Sequence, residues 1–230
     1  MIDVEYQGRL GNNLFQYSFA RLMAEDNGVP YCMTLPENGA ISSNDRDCGS
    51  PHYSSFTEVQ EGFGDQLWVP PVVQGDTKYL GYFQRWGIFK GRQEQVRGFF
   101  NYNYPKDLHP GVCLHLRLTD FHEIPTLVKP QKVYSDVVDS VYTDELLIVT
   151  DDPGDPYLDY FKRRYPRVRV QTSTQSEDFR TLMSYDTLIT CNSTFSWWAG
   201  YLGNSSRVFV PEDFGRGSES VGLHNLGIKF

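Results

Sequence analysis

Residues 111–120 of the chain read GVCLHLRLTD and give the clearest structural signal in the sequence. An apolar run of this length after Pro110 is typical of a buried parallel strand rather than a helix. His115, Arg117 and Asp120 would lie at the carboxyl end of that strand, where open α/β sheets bind their ligands. An arginine there suits a diphosphate, because its planar guanidinium stays charged and can donate two parallel hydrogen bonds. The same residues fit equally well an ordinary strand in which Arg117 pairs with Asp120.

The composition is that of a globular protein and argues against two classes of partner. Hydrophobic residues make up 40% of the 230 positions, and the formal net charge is −8. A chain of this sign has no general attraction to nucleic acid or to an anionic membrane, although a local basic pocket for an anion is compatible with it. No stretch approaches the ~20 apolar residues of a membrane span, and the first residues do not resemble a secretory signal. We therefore expect a cytoplasmic protein without a membrane span.

The cysteines do not indicate a metal site or a disulfide framework. The chain has four, Cys32, Cys48, Cys113 and Cys191, with no C-x-x-C pair and no paired histidine spacing. Zinc sites usually show such spacings, so we expect no bound metal. Cys113 and Cys191 lie inside apolar runs, which is typical of small buried hydrophobic residues.

The order of predicted elements indicates an α/β fold with parallel sheets. In the second half, apolar strands at residues 146–150, 168–170, 187–191 and 208–210 alternate with helical patterns at 130–142, 157–165, 179–185 and 195–202. Strands and helices that alternate at these lengths are typical of βαβ units.

The first half is less regular. A strand at residues 2–6 is followed by a Gly-rich turn at 8–13, a helix from residue 14 to 24 and a second strand at 30–35. Residues 36–71 are interpreted as irregular surface structure, a lid or an acceptor-side loop, and a helix is expected within 86–100. Residues 101–110 are the best linker. We therefore predict an N-terminal lobe at residues 1–105 and a C-terminal lobe at 106–230.

Three loops carry polar residues at places where ligands bind. The turn at residues 8–13 would bring backbone N–H groups near a phosphate or a sugar. The alternative is an ordinary tight turn from strand to helix, and the dinucleotide and P-loop spacings are absent. Asp151 and Asp152 follow a strand, where a carboxylate can accept from guanine or ribose, or can cap the next helix. Asn192, Ser193 and Thr194 precede a predicted helix, which makes either an anion site or an N-cap.

Several stretches together resemble the α-1,2-fucosyltransferases of glycosyltransferase family eleven. They are GRLGNNLFQY at residues 8–17, YLGYFQ at 79–84, the H-x-R-x-x-D pattern at 115–120, VTDD at 149–152 and the run 178–202 with NSTFSWW. The resemblance spans nearly the whole chain, and related α-1,6- and protein O-fucosyltransferases share the H-x-R-x-x-D and T-D-D elements. The chain departs from the family at Leu118 and Thr119, where a basic residue and a glycine are common, and in its shorter N-terminal half.

The resemblance implies a GT-B-like fold of two Rossmann-like lobes with parallel sheets, the N-terminal lobe reduced. It implies an inverting transfer of fucose from GDP-fucose to a glycan hydroxyl, in an α-1,2 linkage, without a metal or other cofactor. Carried over by position, the catalytic residues are His115, Arg117 and Asp120. The residues that bind GDP-fucose are Gly8, Gly11, Asn12, His115, Arg117, Asp151, Asn192, Ser193 and Thr194.

The resemblance also suggests individual roles. Arg117 would neutralise the pyrophosphate, Asp151 would contact guanine, and Ser193 and Thr194 would bind phosphate. Asn12 and the turn at residues 8–11 would approach the β-phosphate or the fucose.

Two questions stay open at this level. The base that deprotonates the acceptor hydroxyl could be His115, Asp120 or Glu123. The chain could also be a transferase for another GDP-sugar, since the expected contacts address the nucleotide and not the sugar. The departures at Leu118 and Thr119 and the shorter N-terminal half leave open a GDP-sugar-binding or lectin-like protein without turnover.

Overall fold

The computed structural model describes residues 1–31, 33–45, 57–62, 75–124, 126–142, 144–214 and 220–230. Within these ranges the chain forms two compact units. The N-terminal unit contains the described residues of Met1–Tyr102 and Gly217–Gly222, and the C-terminal unit those of Asn103–Arg216 and Leu223–Phe230. The predicted division at residues 105 and 106, with its acceptor-side and donor-side roles, stays a prediction.

The helices follow one another from the N-terminal unit into the C-terminal unit. Their bounds are α1 Leu10–Asn27, α2 Trp86–Phe89, α3 Gln93–Arg97, α4 Gln131–Val141, α5 Asp159–Arg164, α6 Gln175–Met183 and α7 Thr194–Leu202. Short 3-10 helices lie at Asp120–Glu123, Pro156–Leu158 and Leu223–Leu226. None of the helices in the described ranges has the length and apolar character needed to cross a membrane.

The strands are short in the N-terminal unit and longer in the C-terminal one. In chain order they are β1 Ile2–Val4, β2 Ser42–Ser43, β3 Thr57–Gln60, β4 Thr77–Leu80, β5 Gln84–Arg85, β6 Phe100–Asn101, β7 His109–Leu116, β8 Leu146–Thr150, β9 Val168–Gln171, β10 Tyr185–Ile189, β11 Arg207–Val210, β12 Ser220–Val221 and β13 Ile228–Lys229.

The C-terminal unit is built on a six-stranded parallel sheet in the order β13-β11-β10-β7-β8-β9. Its central strand, β7, is buried from Gly111 to its end, and β8 is buried throughout. Alternate residues of β7, such as Leu114, pack in one apolar cluster with Val138 of α4 and Phe161 of α5. Burial of this kind, about 25 cal/mol per Å² of apolar surface, holds helices against a parallel sheet. The predicted α/β class with parallel sheets is confirmed.

The direction in which the chain adds strands to this sheet reverses beside β7. From β7 the chain proceeds to β8 and β9 on one side, and then crosses through α6 to β10 on the other side. The point where the strand order reverses therefore lies between β7 and β10. In open α/β sheets, this reversal leaves a crevice outside the carboxyl ends of the two strands.

The N-terminal unit has a smaller parallel sheet in the order β1-β4-β3. Helix α1 follows β1, and its buried face is aromatic: Phe19 stacks on Phe83 at 3.9 Å and meets Tyr79 edge-on at 5.0 Å. Aromatic rings bury a large apolar area each, which suits a sheet of only three strands.

Four predictions for the N-terminal unit were wrong. Helix α1 begins at Leu10 and not at residue 14, so Gly11 and Asn12 lie in its first turn. The Gly-rich turn before the helix is correspondingly shorter than predicted, and Gly8 within it has a positive φ of 79°.

The other three corrections concern whole elements. In place of a strand at 30–35 there is a single bridge from Tyr31 to Ile2, with Cys32 outside the described residues. The helix expected within 86–100 is two short helices, separated at Gly91 with φ 73°. Residues 36–71 contain strands β2 and β3, while 46–56 and 63–71 lie outside the described residues.

One helix of the C-terminal unit is longer than predicted. Helix α6 was expected from residue 179 and begins at Gln175 instead. The Thr174 hydroxyl accepts from the Glu177 N–H, and the Glu177 carboxylate accepts from the Thr174 N–H, a reciprocal arrangement that starts a helix. The first turn of α6 is polar, so apolar periodicity does not indicate a helix there.

Candidate functional site

The carboxyl ends of three neighbouring strands meet in the C-terminal unit. Ile189 of β10 is level with Leu114 of β7, and Thr150 of β8 is level with Leu116. The residues that leave these strands are therefore brought to one edge. Seven of the positions predicted for the site lie there, His115, Arg117, Asp120, Asp151, Asn192, Ser193 and Thr194.

Arg117 is held by two neighbours of its own loop. Its Nε donates to Asp120 Oδ1 at 2.7 Å, and Nη2 pairs with the other carboxylate oxygen. The guanidinium carbon lies 4.6 Å from the centre of the Phe121 ring. The pairing that offered an ordinary interpretation of the motif is thus present. A guanidinium has five N–H donors and this pair uses two, so the residue is oriented without losing its capacity to bind an anion.

Asp151 fixes the loop that carries the arginine. Its Oδ1 accepts from the N–H of Leu118 at 2.7 Å and of Thr119 at 3.4 Å, and its Oδ2 accepts from the Thr119 hydroxyl at 2.6 Å. The next helical segment is capped by Asp155, which accepts from the Tyr157 N–H at 2.8 Å. The interpretation of Asp151 as a helix cap is therefore wrong. Its role on guanine stays a prediction, and a guanine would share oxygens that already accept three hydrogen bonds.

His115 is neutral and almost completely enclosed. It is 6% exposed, its Nδ1 lies 3.3 Å from Cys191 Sγ, and its ring centre lies 5.7 Å from that of Phe195. Desolvation lowers the pKa of His115 from 6.5 to about 4; Asp151 opposes this shift and Arg117 adds to it. A ring with so low a pKa is a poor proton acceptor at neutral pH.

The loop before α7 leaves polar atoms without partners. Asn192 Nδ2 donates to the Leu127 carbonyl at 3.4 Å, but Asn192 Oδ1 and Ser193 Oγ are buried and have no partner within the described part of the chain. Ser193 is the N-cap residue of α7 by position, yet its hydroxyl does not cap the helix. A buried polar atom without a partner costs about 1–3 kcal/mol. Such atoms at the N-terminus of a nine-residue helix are suited to a polar ligand.

The first motif of the chain, at residues 8–17, lies in the N-terminal unit. It is hydrogen-bonded to the motif at residues 79–84. A side chain at Gly8, whose φ is positive, would collide with Asn12. Asn12 Oδ1 accepts from Gln84 Nε2 at 3.1 Å, and the fully buried Gln16 donates to the Gly81 carbonyl at 2.9 Å. The segments 8–17 and 79–84 are therefore bonded to each other. The predicted roles of Gly8, Gly11 and Asn12 toward a donor sugar stay predictions.

A buried ion pair in the same unit was not predicted. Glu61, 3% exposed, accepts through Oε1 from Arg85 Nε at 2.8 Å. Its Oε2 accepts from the N–H groups of Tyr82 and Phe83 at 2.9 and 2.7 Å. Phe83 has a positive φ of 53°, an unusual conformation for a bulky residue. Glu61 stands in a polar stretch without any periodic signal, and its role appears only when β3 is paired with β4.

A histidine–aspartate pair between the segments that follow β7 and β8 was also not predicted. His122 Nε2 lies 2.6 Å from Asp155 Oδ2 and joins the 3-10 helix after β7 to the loop after β8. The position of His122 soon after the H-x-R-x-x-D pattern is a weak signal for it in the sequence. The described residues contain no group of three or more His, Cys, Asp or Glu side chains arranged to hold a metal ion.

Comparison with known proteins showed a distant likeness to a solved structure and no match of the other kinds. No protein-family model matches the chain, and no curated protein matches it. The chain is similar to a crystal structure of the NodZ α-1,6-fucosyltransferase soaked with GDP-fucose, at 14% sequence identity and a TM-score of 0.46. The match covers 90% of this chain and 92% of that one. A likeness of this size assigns no activity, so the function has to come from the residues of the site.

Proposed function

We propose that this protein is an inverting glycosyltransferase that moves fucose from GDP-fucose to a hydroxyl of a glycan acceptor, in an α-1,2 linkage. The nucleotide would bind at the crevice between β7 and β10. One observation carries the proposal: an oriented Arg117 stands at the reversal point of a parallel sheet, in the same edge as the unpartnered atoms of Asn192 and Ser193. The motif resemblance supplies the GDP-sugar, and the GT-B arrangement of the two units belongs to the same proposal.

The chemistry of the reaction suits these residues. Breaking the bond between sugar and phosphate leaves negative charge on GDP and oxocarbenium character on the sugar. Arg117 would stabilise the charge that develops on the pyrophosphate, and the Ser193 hydroxyl and the start of α7 would add hydrogen-bond donors. One well-placed donor typically lowers such a barrier by ~3–4 kcal/mol. Asp120 and Phe121 contribute by holding the guanidinium in place before the ligand arrives.

The candidates for the base are reduced by the geometry. His115 is buried with a pKa of about 4, and Asp120 is engaged with Arg117. Glu123 is exposed at the end of the same 3-10 helix and is the candidate that an acceptor hydroxyl can approach. A dissociative transfer needs only weak assistance from a base, so a carboxylate is sufficient.

We also propose that the reaction needs no divalent metal. Two acidic residues at this edge of the sheet are already engaged, Asp120 by the guanidinium and Asp151 by the turn at Leu118 and Thr119. A cation that bridged both phosphates would compete with Arg117 for the same oxygens. Fucose transfer is expected to persist in excess EDTA. Loss of activity on chelation and its return with Mn²⁺ would show that a metal site exists.

A donor array tests the proposed function. The protein is incubated with GDP-fucose, GDP-mannose and GDP-glucose, with and without an array of glycan acceptors, and both GDP release and product are measured. Acceptor-dependent GDP release from GDP-fucose alone is the expected result. Release from another GDP-sugar identifies a different transferase. Tight binding of GDP-fucose without release identifies the binding protein without turnover, the alternative that the departures at Leu118 and Thr119 and the shorter N-terminal half leave open.

A further inference from the structure

The contact between His115 and Cys191 joins the two strands that flank the crevice. His115 lies on β7, and Cys191 lies two residues beyond the end of β10. Nδ1 and Sγ are 3.3 Å apart, and both side chains are buried. Burial raises the pKa of the Cys191 thiol to about 12 and lowers that of His115 to about 4, so both groups are neutral. When both groups are neutral, one hydrogen lies between Sγ and Nδ1, and it is bonded either to the sulfur or to the nitrogen.

The relative strengths of the two acceptors decide which atom donates. A thiol sulfur is only a weak acceptor, whereas the lone pair of a neutral imidazole nitrogen is a strong one. The Ser196 hydroxyl, in the first turn of α7, donates to the Ser193 carbonyl at 3.2 Å. The thiol hydrogen accordingly belongs on the line to Nδ1.

We propose that Cys191 is a positioning residue: its thiol donates to His115 Nδ1 and fixes the tautomer in which Nε2 carries the ring hydrogen. That Nε2–H is a neutral donor for an oxygen of bound GDP. The identity of the ligand rests on the proposed function, whereas the tautomer does not. A neutral donor is the form that suits the place, because a second buried cation beside Arg117 would be strongly unfavourable.

Nuclear magnetic resonance tests the tautomer without any ligand. The full chain is labelled with 15N-histidine, and two-bond 1H–15N correlations are recorded at pH 7; the His115 ring is assigned by its loss in His115→Gln. We expect the Nε2–H tautomer in the parent protein and in Cys191→Ser, whose hydroxyl can still donate. In Cys191→Ala we expect a larger share of the Nδ1–H form. Cys113→Ala, which removes another buried thiol from β7, is expected to leave the tautomer unchanged.

Two outcomes of this measurement overturn the proposal. An Nδ1–H ring in the parent protein would mean that the sulfur accepts from the histidine. An identical tautomer in the parent and in Cys191→Ala would mean that the thiol does not set it.

Calorimetry with GDP tests the second part of the proposal, that the Nε2–H of His115 donates to an oxygen of GDP. The amide nitrogen of His115→Gln lies near the position of Nε2, and that of His115→Asn lies near Nδ1. We expect the glutamine variant to keep its GDP affinity within about threefold and the asparagine variant to lose two- to about tenfold, the effect of one hydrogen bond. The reverse ranking overturns the assigned donor. If the parent protein binds no GDP, the proposed function fails, and the resonance experiment still decides whether Cys191 sets the tautomer.

Discussion

At the scale of single residues, Arg117 carries the proposed donor site through the shape of its guanidinium. Arg117→Lys keeps the charge but loses the planar fork that pairs with Asp120 and would pair with a diphosphate. We expect GDP affinity to fall about tenfold or more, since a hydrogen bond to a charged group contributes ~1.5–3 kcal/mol. Calorimetry measures the affinity, and Arg167→Lys, an exposed pair with Asp144 in the same unit, is the matched control. Unchanged GDP binding in Arg117→Ala would remove Arg117 from the site.

Asp151 acts on the position of that arginine. Asp151→Ala removes both carboxylate oxygens and leaves the N–H groups of Leu118 and Thr119 and the Thr119 hydroxyl without this acceptor. We expect the free energy of unfolding of the C-terminal unit to fall by about 1–3 kcal/mol, measured by urea titration. Asp152→Ala is the control, because Asp152 accepts only the N–H of Gly154 among the contacts described for its carboxylate. If Asp151 also contacts guanine, the preference for GDP over ADP is lost in the same variant; equal preference leaves Asp151 with the loop alone.

At the scale of elements, Glu61 connects β3 to the turn after β4. Glu61→Gln leaves the buried Arg85 without its carboxylate and weakens the bonds that hold Phe83 at positive φ. Removing one partner of a buried ion pair typically costs 3–5 kcal/mol. We expect the N-terminal unit to unfold at a clearly lower urea concentration than in the parent protein. Near-ultraviolet circular dichroism of its packed aromatic residues measures this transition. Glu58→Gln, on the exposed face of the same strand, is expected to change stability by less than about 0.5 kcal/mol. A similar loss in both variants would mean that the pair is not what stabilises the turn.

The elements that could be predicted are those whose burial leaves a periodic pattern. Strand β8 is buried at every position and apolar up to Val149, and its predicted range of 146–150 is confirmed. The buried face of α4 with Val137 and Val138 is likewise visible in the sequence. For elements that begin with polar residues, the predicted first residue was too far along the chain. Helix α6, which begins with the Thr174–Glu177 capping box, is an example. The candidate residues of the C-terminal unit could be selected because they follow apolar strands, and the structure brings them to one edge of the sheet, while their roles stay predictions. The partners of those residues could not be predicted, because the Cys191–His115 contact and the bonds of Asp151 depend on strand order, which no local pattern encodes.

At the scale of the whole molecule, the buried His115 should make stability depend on pH. The folded protein holds this ring neutral, with its pKa lowered from 6.5 to about 4 by desolvation, while Asp151 and Arg117 are the charged groups that act on it. Between these two values the unfolded chain binds more protons than the folded one, so stability rises with pH across that window and falls as the pH drops through it.

The size of this effect follows from the same shift. Between pH 7 and pH 4.5 the His115 contribution to the free energy of unfolding should fall by about 2 kcal/mol. Urea titrations at both values, made on the parent protein and on His115→Gln, isolate it as the difference between the two pH dependences. His224→Gln removes a half-buried histidine from the same unit and is expected to leave the dependence unchanged. Equal pH dependence in the parent protein and in His115→Gln would show that the ring is protonated as easily in the folded protein as in the unfolded chain. A ring that charges so easily could not serve as the neutral donor proposed for the crevice between β7 and β10.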